Sequence, residues 1–169
     1  MSFGTSLVGP ETLAELLEKA RATPPGCIVE VGVYRGGSAV ELAKAGRALY
    51  LYDTFTGIPH RSPYDSHQIG DFAETSVEAV QQLLPHAVVI AGIFPTSAIT
   101  MPDVAFAHLD CDQYQSVLES ARYLAPLMVK GGIMWFDDSP CLAGARRAVE
   151  ELFGDRVKLS YNQKHYVEF

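Results

Sequence analysis

The apolar positions fall into two rhythms that alternate along the chain. Short runs rich in valine, isoleucine and tyrosine have the length and β-branched content of strands. They are "CIVEVGV" (27–33), "ALYLYD" (48–53), "AVVIAGI" (87–93), "VAFAHLD" (104–110) and "GIMWFDD" (132–138). Between and around them, apolar residues recur at helical spacing in "ETLAELLEKARA", "GSAVELAKAG", "TSVEAVQQLLP", "QSVLESARYLAPLM" and "GARRAVEELFG". In the first of these, Leu13, Leu16 and Leu17 share one side. "ATPPG" stops that helix, because proline cannot continue one. Gly46 closes the second, and Thr75 or Ser76 is a plausible cap for the third. The C-terminal "VKLSYNQKHYVEF" reads as two strand-like runs around "NQ", a hairpin.

Strands separated by helices imply right-handed crossovers and a parallel sheet. The early strands are apolar nearly throughout, as expected when both faces are covered. The expected fold is therefore α/β: a three-layer α/β/α sandwich around a mostly parallel seven-stranded sheet, with one antiparallel strand from the C-terminal hairpin. At 169 residues the chain is expected to form a single domain, 1–169. Ligands in such folds bind at the carboxyl ends of the strands, near the switch in strand order. The polar stretch "TFTGIPHRSPYDSHQIGDF" (54–72) lacks periodicity, and loops of that length usually cover or bind something.

Composition narrows the partners. A net charge of −7 argues against nucleic acid or an anionic membrane surface, both of which need a basic face. It leaves a cationic ligand or a metal open. Cys27, Cys111 and Cys141 are odd in number and far apart, so neither a disulfide framework nor a zinc knuckle is expected. No apolar run approaches the ~18 residues of a membrane span, and the N-terminal stretch lacks a signal-peptide pattern. A cytoplasmic protein is the expectation.

Candidate chemistry gathers at the strand ends. "VEVGVYRGGSA" is a strand, a glycine turn and a helix start. Gly32 permits a tight turn, and Gly36 and Gly37 let backbone approach a ligand. The spacing is not the dinucleotide pattern, and Glu30 before the turn suits an amino-acid ammonium better than a pyrophosphate. Asp53 ends the second strand about twenty residues on, where an acid accepts hydrogen bonds from ribose hydroxyls. These features fit a nucleoside cofactor that carries an amino acid and no phosphate. "AHLDCDQYQS" and "GGIMWFDDS" then place four carboxylates at two strand tips. If those strands are neighbours, Asp110, Asp137 and Asp138 converge and suit a hard divalent cation such as Mg²⁺. Such a metal would acidify a substrate hydroxyl, and Asp112 is the candidate base to take its proton. Asp112 could also cap the following helix. His108 reads as a packed histidine, Tyr114 as a residue packed near the site. His60, Arg61, Tyr64 and His67 are loop candidates for substrate contact.

"VEVGVYRGGSA", "LYDTFTGIP", "GDFAETSVEAV", "AHLDCDQYQS" and "GGIMWFDDS", in order from about residue 27 to 152, resemble the macrocin-type O-methyltransferases. The resemblance implies a Rossmann-like class I fold, S-adenosylmethionine (SAM) as cofactor, and methylation of sugar hydroxyls. It assigns Glu30, Gly32 and Ser38 to the SAM motif, with Gly36 and Gly37 in the same turn. It gives Asp53, with Thr54 beside it, to the ribose, and Gly70, Asp71 and Phe72 to a segment near the adenine. It makes Asp110, Asp137 and Asp138 the metal ligands and Asp112 the general base. Related enzymes carry an N-terminal segment that helps cover the substrate, and little precedes the first helix here. A more open site, or one completed in a homo-oligomer, is the corresponding expectation. Two other readings stay in view: a phosphohydrolase using the D-x-D of "DCD", although that pair follows the fourth strand and not the first, and a SAM-binding protein without catalysis.

Overall fold

Alternation along the strands divides the core into two halves. In the computed structural model, which describes residues 2–169, α1 (Pro10–Ala22) precedes β1 (Cys27–Val31). Then come α2 (Gly37–Ala43), β2 (Leu49–Asp53), α3 (Val77–Leu83), β3 (Val88–Ala91) and β4 (Val104–Leu109). The chain finishes with α4 (Tyr114–Leu124), β5 (Met128–Phe136), α5 (Ala143–Phe153), β6 (Lys158–Leu159) and β7 (His165–Glu168). Val29, Val31, Leu109, Met134 and Phe136 face α4 and α5, packing with Val117, Ala121, Ala145 and Val149. Ile28, Phe106, Ile133 and Trp135, on the alternate positions of the same strands, pack on the other side with Leu16, Ala39, Leu42 and Val80. Each fully buried large side chain contributes about 1.5–3 kcal/mol. The expected three-layer sandwich follows directly.

The strands form one seven-stranded sheet in the order β3-β2-β1-β4-β5-β7-β6. β1 to β5 run parallel, and β7 is antiparallel to both β5 and β6. The chain builds outward from β1 to β3, then returns to place β4 on the other side of β1. That reversal is the switch point, and it opens a crevice at the carboxyl ends of β1 and β4.

Two strand boundaries and the covering of one strand differ from the sequence reading. β1 stops at Val31 because Gly32 takes φ +90°. β3 is the sheet edge, so Val88 is exposed and its strand is not covered on both sides. Met128 belongs to β5 and not to the preceding helix. Pro126 ends regular α-helix at Leu124, a single 3₁₀ turn follows, and the strand begins four residues early. No helix among the described residues is long and apolar enough to cross a membrane.

The C-terminal hairpin is fastened by a residue that periodicity alone would send to solvent. Glu15 of α1 is fully buried. Its carboxylate accepts from Ser160 Oγ (2.9 Å), the Tyr161 N–H (3.0 Å) and the Asn162 N–H (3.0 Å) in the turn between β6 and β7. Removing it strands these donors. Glu15→Ala is expected to cost about 2–4 kcal/mol in urea unfolding, with Glu15→Gln recovering part of the loss. An unchanged midpoint for Glu15→Ala would refute this anchoring role.

Candidate functional site

The register of the sheet brings the acids together. Leu109 of β4 pairs with Phe136 of β5, so Asp110 and Asp137 leave their strands side by side. The Asp110 N–H donates to Val31 O (2.9 Å) and the Asp137 N–H to Leu109 O (3.1 Å), extending the alignment past the strand ends. One carboxylate oxygen from each of Asp110, Asp137 and Asp138 lies within 4.8 Å of the others. Burial above all, then the charges of Asp138, Asp137 and Asp112, push the Asp110 carboxyl well above the usual range. Burial and then Asp137 raise Asp138, opposed by the N–H of Asp112 and by Lys164. Asp137 Oδ1 is buried without a hydrogen-bond partner. Together these are the marks of a set of hard oxygen donors suited to a divalent cation.

Asp112 sits apart from that trio. It adopts φ +59°, and its N–H donates to Asp138 Oδ2 (3.0 Å). Its own carboxyl is pushed up to about 8, first by burial and then by Asp138 and Asp137. Its Oδ1 lies 3.7 Å from His67 Nε2.

These acids open onto a cavity of about 400 Å³. Gly32, Gly37, Ser38, Asp53, Thr54 and Phe72 also line it, together with Asp110, Asp112, Asp137 and Asp138. Asp53 does two jobs. Its Oδ2 accepts from the N–H groups of Val33 and Tyr34 (both 2.8 Å) and its Oδ1 from Phe55 (2.8 Å), which clamps the glycine turn against β2. Oδ1 takes a single N–H and keeps acceptor capacity toward the cavity. Gly32 is demanded by chain packing: a Cβ there would lie 1.8 Å from the Asp110 carbonyl oxygen.

Four of the cofactor-side candidates lie outside the cavity lining. Glu30 is the clearest correction. Strand alternation turns it away from Val29 and Val31, and register sets it opposite His108 on β4. The two are fully buried, with Glu30 Oε1 2.7 Å from His108 Nδ1. Glu30 is thus the partner of a packed histidine and is not aimed at a ligand ammonium. Gly36 serves as the left-handed N-cap of α2. Gly70 and Asp71 bind the long loop to itself: the Gly70 N–H donates to Ile58 O (3.0 Å) and the Ile58 N–H to Asp71 O (2.9 Å).

Comparison with known proteins places this arrangement. The family described as Macrocin-O-methyltransferase (TylF) matches residues 2–162. The chain belongs to the macrocin O-methyltransferase family. Over 162 residues it is 29% identical to mycinamicin III 3''-O-methyltransferase of Micromonospora griseorubida, covering 80% of this chain. The chain spans 63% of the length of that curated relative. The fold matches that of the O-methyltransferase NovP, with a TM-score of 0.80 at 20% identity over 96% of this chain and 81% of that one. It also matches the calicheamicin methyltransferase CalS11, with a TM-score of 0.75 at 19% identity over 94% of this chain and 77% of that one.

In this member of the family the long loop is held from outside. Asp65 accepts from the Ser62 N–H (2.7 Å) and from the Tyr114 N–H (2.8 Å), so it caps α4 in place of the local Asp112. It fits there because residue 144 is glycine; a Cβ at Gly144 would meet Asp65 Oδ1 at 1.9 Å. The anchored loop then brings His67 to Asp112. Tyr64 instead lies under Arg147, 4.3 Å from its guanidinium, and Tyr114 donates its hydroxyl to Glu151 (2.8 Å). His60 and Arg61 do not line the cavity.

Two contributors carry no local signal in the sequence. Residues Thr5 to Gly9 line the cavity, so a short stretch before α1 does reach the site. Ser6 packs so closely on α2 that a Cβ at Gly37 would lie 2.4 Å from its backbone nitrogen. Lys164 enters from the hairpin, and a search for a cation near the acids would have been the one way to suspect it. Asp65→Ala is expected to cost roughly 1–3 kcal/mol and to speed proteolysis within residues 60–71. Cleavage at the wild-type rate would show that Asp65 does not hold the loop.

Proposed function

We propose that this chain is a SAM-dependent O-methyltransferase. It uses Mg²⁺ or another divalent cation and methylates a hydroxyl of a sugar or other small molecule with adjacent oxygens. Residues 1–169 act as one catalytic domain in this reading. The observation that carries it is the convergence of Asp110, Asp137 and Asp138 on the cavity that Asp53 and Ser38 also line. Membership of the macrocin O-methyltransferase family supports the reaction class, and the 3''-O-methyltransferase relative supports an oxygen acceptor. The acidic surface charge agrees with a small-molecule acceptor and against nucleic acid.

The residues fit both bound groups. Asp53 Oδ1 retains acceptor capacity for a ribose hydroxyl, with Thr54, Ser38 and Phe72 around it. The crowded carboxylates of Asp110, Asp137 and Asp138, with Asp137 Oδ1 lacking a hydrogen-bond partner, would hold the cation. What the bound groups bring is a sulfonium-activated methyl and a lowered pKa for the acceptor hydroxyl. Asp112 lines the same cavity outside the ligand trio and takes the hydroxyl proton on its carboxylate. His67, 3.7 Å away, limits how that carboxylate turns. The anchored loop and residues 5–9 wall the cavity, so the acceptor is held in place while the proton leaves.

Ligand and base are separable by experiment. Mg²⁺ is expected to raise the melting temperature of wild type and Asp112→Asn but not of Asp110→Asn or Asp138→Asn. With SAM and a panel of vicinal-diol sugars, Asp112→Asn loses about 10²–10⁴-fold in turnover. Metal-dependent methylation that survives Asp110→Asn intact would sink the scheme.

A further inference from the structure

A basic side chain, Lys164, reaches into the acidic trio. Lys164 Nζ donates to Asp137 Oδ2 (2.7 Å) and to the Asp137 carbonyl oxygen (2.8 Å). The side chains are 18% and 9% exposed, so this pair is largely withdrawn from solvent screening. The main chain of the lysine is also held from behind. The Lys164 N–H donates to Ser160 Oγ (3.1 Å), and the Ser160 N–H returns a bond to Lys164 O (2.8 Å). Ser160 Oγ in turn donates to the buried Glu15 (2.9 Å). The lysine therefore approaches Asp137 from a turn bolted to α1.

The contact divides the Asp137 carboxylate. Oδ2 is spent on Lys164, and Oδ1 is left buried and unpartnered in a carboxylate that brings one oxygen within 4.8 Å of oxygens from Asp110 and Asp138. Charge divides in the same way. Within the ligand trio, with Asp112 outside it, three carboxylates and one ammonium leave two negative charges, which a single divalent cation balances. Without the lysine, the trio would favour an ion of higher charge, and Asp137 could turn both oxygens inward.

Resting on the reading that the trio holds a divalent cation, we propose that Lys164 is the positioning residue that sets the charge selectivity of this site. It restricts Asp137 to one-oxygen ligation and matches the trio to one divalent ion. The consequence is a specific preference. Removing the ammonium strengthens binding of a trivalent ion more than of a divalent one, because Coulomb energy scales with the ion's charge.

The test measures Tb³⁺ and Mn²⁺ affinities by luminescence and competition calorimetry on the full chain, with no methyl donor or acceptor present. Lys164→Met is expected to raise the ratio of Tb³⁺ to Mn²⁺ affinity roughly ten- to hundredfold. Lys164→Arg, which keeps the charge, leaves the ratio within about threefold of wild type. Should Lys164→Met fail to fold, Lys164→Gln gives the same reading, since its amide can still donate to Asp137 without the charge. A ratio in the neutral variants equal to that of wild type overturns the proposal while leaving the metal site standing. Wild-type protein that binds neither ion overturns the metal reading, and the role of Lys164 with it.

Discussion

Mutual repulsion among crowded, largely buried carboxylates is the constraint around which this end of the molecule is built. Asp110, Asp137 and Asp138 leave two neighbouring strands with oxygens within 4.8 Å of one another. Burial and proximity both penalise their charged forms. A fold that keeps them there must bring donors from elsewhere. The Asp112 N–H serves Asp138, and Lys164 serves Asp137. The first comes from the peptide that follows β4 and the second from the C-terminal hairpin. The position of that hairpin depends in turn on Glu15 in α1. Elements far apart in the chain thus share one electrostatic task.

The same crowding joins the two halves of the cavity. Gly32 has no room for a Cβ because the Asp110 carbonyl lies against it. The glycine turn after β1 is therefore shaped by the acid-bearing strand beside it. Asp53 then clamps the turn from the opposite flank through the N–H groups of Val33 and Tyr34. Gly37, which reads as an opening for a ligand, is a point where backbone meets backbone, against Ser6. The steric demand at Gly32 keeps the cofactor side of the cavity in register with the acidic side.

What the sequence made legible was local. Strand and helix periodicity placed the layers, and the strand-end aspartates could be put at neighbouring tips because each ends an apolar run. Lys164, Glu15 and Asp65 were hidden because each acts across a long stretch of chain: their partners Asp137, Ser160 and Tyr114 lie 27, 145 and 49 residues away. Glu30 shows a different failure. An acid before a glycine turn suggests a ligand contact, yet alternation with Val29 and Val31 already directs it to the other face of β1. A second polar residue, His108, sits inside an equally apolar strand. Two buried polar positions in neighbouring strands are more economically read as each other's partners, since either alone would be costly to bury.

The division of labour between Asp110 and Asp112 follows from one backbone turn. Strand geometry ends at Leu109, and Asp110 still bonds to β1 through its N–H. Two residues later Asp112 occupies the left-handed region, which aspartate tolerates better than most residues. In that conformation its N–H points at Asp138 Oδ2. The bond ties the base candidate to a ligand candidate through the main chain, leaving the Asp112 carboxylate free to face the cavity and His67. If the peptide relaxed to extended backbone, Asp138 would lose its donor and the two side chains of "DCD" would return to the same face of a strand. The left-handed turn is what makes two neighbouring acids unequal, and the proposed roles of ligand and base rest on that inequality.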